Sequence, residues 1–189
     1  MAAQVNGYWN LNNHLYDTYN HWREYCLSHG INVDFSFGNQ CWDSCAMLWH
    51  QYNLRLETGN GYAYGCWVYK RDVNARFPFT KVETRTGIKR GDCVVFAPSG
   101  LNYTGHIAFA DEDYNGTDYM NFLGQNQGQG ISSGTPSNIV RLNIRPFLGA
   151  FRNTKWIGEE PTPPQPTGFT KKKSFPWVLY ASKFRAGKR

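Results

Sequence analysis

The sequence predicts an α+β fold, with N-terminal helices packed on an antiparallel β-sheet. Three observations carry this. Residues 8–29 place Tyr8, Leu11, Leu15, Tyr19, Trp22 and Cys26 at spacings of three and four, a helical stripe. After Gly87 the texture changes to short apolar runs bounded by turn formers, beginning with Ile88–Ala97 and His106–Asp111. Between them and the next run lies Asn115-Gly116, the strongest short hairpin signal.

Taken in order, the first helical stripe is followed by residues 30–39, which have no helical period and end in turn formers, so they read as an ordered loop. A second helix is expected from Cys41 to about Thr58, where Gly59-Asn60-Gly61 would stop it. Cys41, Cys45, Leu48 and Tyr52 share one stripe of that helix, with Trp42, Ala46 and Trp49 beside it. Strands are expected at 88–97, 106–111, 118–125, 139–144 and 148–152. Residues 158–168 hold four of the nine prolines and read as a semi-rigid linker. The expected organisation is a domain over 1–157, the linker, and a tail over 169–189.

The chain has 189 residues and a formal charge of +6. That charge is unevenly placed. Residues 1–160 carry 13 basic and 14 acidic side chains, whereas 161–189 carry seven basic and no acidic ones. A nucleic-acid reader normally carries its basic face on the folded domain, so nucleic acid is excluded as the expected partner. In the tail, Phe169, Phe175, Trp177, Leu179, Tyr180 and Phe184 interleave with those cations. That pattern suits an anchor attracted to teichoic acid or an anionic membrane surface, a segment docked on the domain or on a partner protein such as other virion proteins, or a solvated basic end. The N-terminus has no basic and apolar leader, so secretion by a signal peptide is not expected. The five cysteines are odd in number, form no C-x-x-C pair and fit no zinc spacing, so at least one free thiol is expected.

Cys41 sits where the loop hands over to the second helix. Main-chain N–H groups and the helix dipole there favour a thiolate and are expected to lower its pKa. A thiol nucleophile needs a base, and His106 is the only histidine in the β half, opening a strand just after Gly105. Cysteine then histidine, helix then strand, is the papain-like order.

Four blocks in order, Asn39-Gln40-Cys41-Trp42-Asp43, Gly91-Asp92-Cys93-Val94-Val95-Phe96, Gly105-His106-Ile107-Ala108 and Gly124-Gln125-Asn126, resemble the CHAP domain. That family comprises the cysteine, histidine-dependent amidohydrolases/peptidases of phage endolysins and bacterial wall hydrolases, and the resemblance covers about residues 10–152. It implies a papain-like CHAP fold and hydrolysis of amide bonds in bacterial peptidoglycan by a phage enzyme. The bond would be either N-acetylmuramoyl-L-alanine or one within the stem peptide or cross-bridge. It further implies Cys41 as nucleophile, His106 as base and the Cys41 N–H as part of an oxyanion hole. Gln40, just before the nucleophile, has a substrate or oxyanion role or is a surface residue; Trp42 is a core or cleft-wall residue. Many relatives carry Glu-Gln-Asn in the last block to orient the histidine, but here the Glu position is Gly124.

Hairpin arithmetic ranks the substitutes. A turn centred on Asn115 sets His106 opposite Gly124, so Asn126 would share the His106 face and Gln125 would point away. Asn126 is therefore expected to orient His106, with Gln125 as runner-up and as a possible oxyanion or substrate group. Some phage relatives bind calcium just upstream, which would make Asn32, Asp34, Ser36 and Asp43 oxygen donors for a weak Ca²⁺ site. Asp43 reads equally as a first-turn acid favouring the helix dipole. No cofactor is required by the expected chemistry. Cys45, Cys66 and Cys93 read as core, Asp92 as turn chemistry and Asp111-Glu112-Asp113 as a solvated strand end.

The expected role is host lysis after holin-mediated release from the host cytoplasm, or wall penetration from a virion tail. The rival is a structural tail-tip protein that keeps the fold for wall recognition, its catalysis weakened at Gly124.

Overall fold

A computed structural model describes residues 3–8, 16–100, 102–128 and 136–156. The linker and the basic tail lie outside the described residues. Strand β1 (Ala3–Asn6) pairs in parallel with β2 (His29–Asn32), which follows helix α1 (Tyr19–Ser28). Helix α2 (Cys41–His50) leads to two single turns, α3 (Gly65–Val68) and α4 (Arg71–Asn74). The remaining strands are β3 (Phe79–Val82), β4 (Cys93–Phe96), β5 (His106–Ala110), β6 (Tyr119–Gly124), β7 (Asn138–Asn143) and β8 (Phe147–Asn153). They form one antiparallel sheet in the order β3-β8-β4-β5-β6-β7.

The expected α+β architecture is present, and each of the five expected strands has its counterpart. Four further elements were not legible. The 30–39 loop begins inside β2, whose four residues are too few to show a period. The α3 and α4 turns and β3 are equally short.

Helix α2 stops eight residues before Thr58. The Asn53 N–H donates to the His50 carbonyl at 2.9 Å and the Leu54 N–H to the Trp49 carbonyl at 3.1 Å, with Asn53 at φ 55°. This is the paired closure in which a left-handed residue ends a helix, with Asn in the place usually taken by Gly.

The sheet is buried on both faces. Val95, Ile107, Phe109, Leu123 and Phe151 pack with Trp22 of α1 and with Met47, Leu48 and Trp49 of α2. Val94, Phe96, Ala108, Ala110, Phe122 and Ala150 form the opposite cluster. This is the alternation that a pleated strand imposes. Cys45, Cys66 and Cys93 are buried in the helix-side cluster, as expected, with Cys45 and Cys93 sulfurs 3.2 Å apart.

Buried charge ties the layers together. Asp92 accepts from the Lys89 N–H at 2.8 Å, the turn chemistry expected of it, and both its oxygens also accept from the Arg152 guanidinium at 2.8 and 2.7 Å. Asp111 is not a solvated strand end. It accepts from Arg23 of α1 at 2.7 Å and from the Tyr19 hydroxyl at 3.0 Å, pinning the helix to the sheet.

Candidate active site

The helix-side core brings the start of α2 against the start of β5. Cys41 is the first residue of α2, and His106 the first of β5. Both line a cleft of about 820 Å³, together with Gln40, Asn126 and Gln127. The Ile107 main-chain N–H favours the ionised form of the Cys41 sulfur, which places the thiol near the residue that follows His106.

Local chemistry fixes the approach to Cys41. Asp43 is buried, and its two carboxylate oxygens accept from the Val33 N–H at 2.9 Å and the Gln40 N–H at 2.6 Å. The second bond is the reciprocal half of a helix N-terminal box. Asp43 thus latches both ends of the 33–40 loop, and burial pushes its carboxyl up to about 7 despite these two donors.

The thiol departs from expectation. Burial pushes Cys41 up to about 12, outweighing the Ile107 N–H and its own N–H, which act the other way. Burial also lowers His106 below its ordinary 6.5. A helix N-terminus lowers a thiol only where solvent or a cation shares the stabilisation, and here desolvation dominates. Burial thus disfavours the charged form of both groups.

The side chain that meets the imidazole is not the expected one. His106 Nε2 meets Gln127 Oε1 at 2.9 Å, so Gln127 and not Asn126 stands against the imidazole. One thing displaces the prediction. Phe109 pairs with Leu123, two residues out of step with a hairpin centred on Asn115, but a shift of two keeps every side chain on its face and by itself would set Asn126 opposite His106. Asn126 then adopts φ 51°, which breaks the strand alternation and returns the next side chain to the cleft. Asn126 lines the cleft, but its amide donates to Gln40 Oε1 at 2.7 Å.

Gln125 is fully buried and does not line the cleft. It accepts from the Ile31 N–H at 2.7 Å and donates to the carbonyls of Ile31 and Gln40, each at 2.9 Å. It is a clamp between β2, the end of β6 and the residue before the nucleophile. Gln40 is held at both ends, since its amide also donates to the Phe37 carbonyl. Trp42 lines a second cavity of about 450 Å³, which shares Gln40 with the cleft but not His106.

That second cavity is bordered by Asp34, Ser36 and Asp43, three of the four expected calcium donors, and by Arg55. The fit to a cation is poor. Asp43 spends both oxygens on main-chain N–H groups, Asp34 Oδ1 accepts from the Ser36 N–H at 2.8 Å, and Arg55 brings a positive charge. Only the buried, unbonded Asn32 Oδ1 favours one. Among the described residues no group of three or more His, Cys, Asp or Glu is arranged to hold a metal.

The class defined by scaffold and site is thus an α+β domain that presents a thiol and an imidazole to one cleft. The fold is shared with a solved structure, the wild-type endolysin LysIME-EF1, at a TM-score of 0.61 and 20% identity, over 75% of this chain and 66% of that one. In sequence the chain is 32% identical over 114 residues to a protein of Streptococcus phage B30 named D-alanyl-L-alanine endopeptidase. The match takes in 59% of this chain but spans only a quarter of the length of that relative. No protein-family model matches the chain.

Proposed function

We propose that this chain is a phage peptidoglycan hydrolase that cleaves an amide bond with Cys41 as nucleophile and His106 as general base. The observation that carries the reading is the shared cleft, with the thiol at the start of α2 and the imidazole at the start of β5. The similarity to a phage endopeptidase supports the substrate class, and its name favours an endopeptidase cut over the muramoyl–alanine bond.

Because either group ionised alone is penalised by burial, the charges form together as substrate arrives. The Cys41 proton passes to His106 while the sulfur attacks the carbonyl carbon. The oxyanion draws on the Cys41 N–H at the positive end of α2. Collapse breaks the C–N bond, and the imidazolium returns its proton to the leaving amine. A water, deprotonated by His106, then hydrolyses the thioester and regenerates the thiol.

The tail over 169–189 would direct the enzyme to teichoic acid, an anionic membrane surface or virion proteins. Release through a holin and delivery from a virion tail both remain consistent with that role. The contact of Gln127 with His106 supports catalysis over the virion reading, which took Gly124 to weaken it.

Turbidity loss of purified Gram-positive cell walls tests the proposal. Cys41→Ala should reduce the rate by at least about 10³-fold with the fold unchanged. Lysis that survives the substitution ends the cysteine mechanism, and mass analysis of released fragments identifies the bond.

A further inference from the structure

We infer that Gln127 is the residue that positions His106 and selects its tautomer, and that Gly124 is glycine because Gln127 occupies the space its side chain would fill. The inference rests on the reading of His106 as a base, and its spectroscopic test does not depend on catalysis.

The orientation of the Gln127 amide is dictated by its surroundings. Its nitrogen lies 2.9 Å from the Phe122 carbonyl and 3.0 Å from the Asn138 carbonyl. Carbonyls only accept, so the NH₂ must face them and spend both its hydrogens there. Oε1 is then left facing His106 Nε2 at 2.9 Å. An amide oxygen only accepts as well, so the imidazole must carry its proton on Nε2. In the neutral ring this leaves Nδ1 with the lone pair a base needs. Two main-chain carbonyls thus fix the flip of Gln127, and that flip fixes the tautomer of His106. Gln127 is 6% exposed, so water cannot easily substitute for these bonds.

Gly124 completes the device. A Cβ built there would lie 2.9 Å from Gln127 Oε1 and 3.1 Å from the Ala108 Cβ. Gly124 has no unusual backbone conformation to explain it, since it ends strand β6 and is not among the glycines with positive φ. What requires glycine is the approach of Gln127 from three residues further along. The acceptor for the histidine enters by a fold-back through Asn126, whose φ of 51° turns the chain.

The test uses the full chain. In Cys41→Ala protein, imidazole ¹⁵N shifts, assigned by the signal lost on His106→Ala, read the tautomer directly. The expected result is a single Nε2–H form, with Gln127→Leu giving a mixture of the two tautomers. Gln127→Glu should raise the His106 titration midpoint by about one pH unit or more, because a carboxylate would face the ring. In the active chain Gln127→Leu should lower kcat on purified walls by about 10²-fold with a smaller change in KM.

Gly124→Ala should lower kcat when Gln127 is present but add little on top of Gln127→Leu, a non-additive cycle. Near-ultraviolet circular dichroism separates these effects from unfolding. An Nδ1–H form in the Cys41→Ala protein, a tautomer indifferent to Gln127→Leu, or strictly additive Gly124 and Gln127 effects each overturn the inference. If wild-type protein fails to attack walls while the tautomer obeys Gln127, the hydrolase reading fails and the positioning stands.

Discussion

At the scale of single residues, burial decides the chemistry more than helix position does. Cys41 stands at a helix N-terminus, yet desolvation pushes its thiol up to about 12. Alkylation of Cys41 by iodoacetamide should therefore be slow at pH 6 and still rising past pH 9, followed by mass spectrometry of the Cys41 peptide. A rate that levels off below pH 7 would mean a resting thiolate.

Asp43 gives a second residue-level outcome. An unfolded aspartate titrates near 3.9, whereas the folded carboxyl is pushed up to about 7. Between these values the folded chain binds the proton more tightly, so this group's contribution to stability falls as pH rises from about 4 to about 7 and is level above. The unfolding free energy of wild type, measured by denaturant titration, should fall more steeply than that of Asp43→Asn across this window, by at most about 1.4 kcal/mol per pH unit. Because both Asp43 oxygens bind main-chain N–H groups, Asp43→Ala should cost about 2–4 kcal/mol equally in EDTA and in Ca²⁺. A loss seen only with Ca²⁺ would make Asp43 a ligand and not a latch.

At the scale of elements, the informative case is the end of α2. Apolar spacing extends the helix to the glycines at 59 and 61, but closure occurs at Asn53. A left-handed residue costs a side chain with a Cβ about 1 kcal/mol or more, and Asn is among the few that tolerate it. Asn53→Gly should raise the thermal midpoint by a few degrees and Asn53→Ala should lower it by about 2–4 °C, measured by calorimetry.

The β5–β6 pairing teaches the same lesson for strands. The Asn115-Gly116 signal located the turn between β5 and β6 but not its register. The displacement of two residues kept every side chain on its face, and it was the φ reversal at Asn126, beyond the end of β6, that exchanged Asn126 for Gln127 beside His106. Gln125 could not have been placed by pattern at all. Its three hydrogen bonds reach Ile31 and Gln40, 94 and 85 residues away.

At the scale of the whole molecule, the basic excess is a matter of sequence and not of fold. The seven uncompensated cations lie in residues 161–189, beyond residues 1–160 with their 13 basic and 14 acidic side chains. Removing 161–189 should leave cleavage of soluble wall fragments unchanged but weaken attack on intact walls, with the difference shrinking as salt rises from about 0.05 to 0.5 M. If cleavage of soluble fragments falls as well, the tail belongs to the catalytic unit.

The sequence by itself determined the α+β class, the antiparallel sheet, the buried cysteines and the placing of Cys41 at a helix start and His106 at a strand start. These follow from apolar periodicity and from turn residues, which act over a few positions. The tertiary structure decided the ionisation of the thiol, the latch role of Asp43, the clamp at Gln125 and the choice of Gln127 over Asn126. Each of these depends on desolvation or on main-chain groups distant in sequence. Neither leaves a trace in local spacing, because burial and long-range hydrogen bonds exist only once the layers have closed.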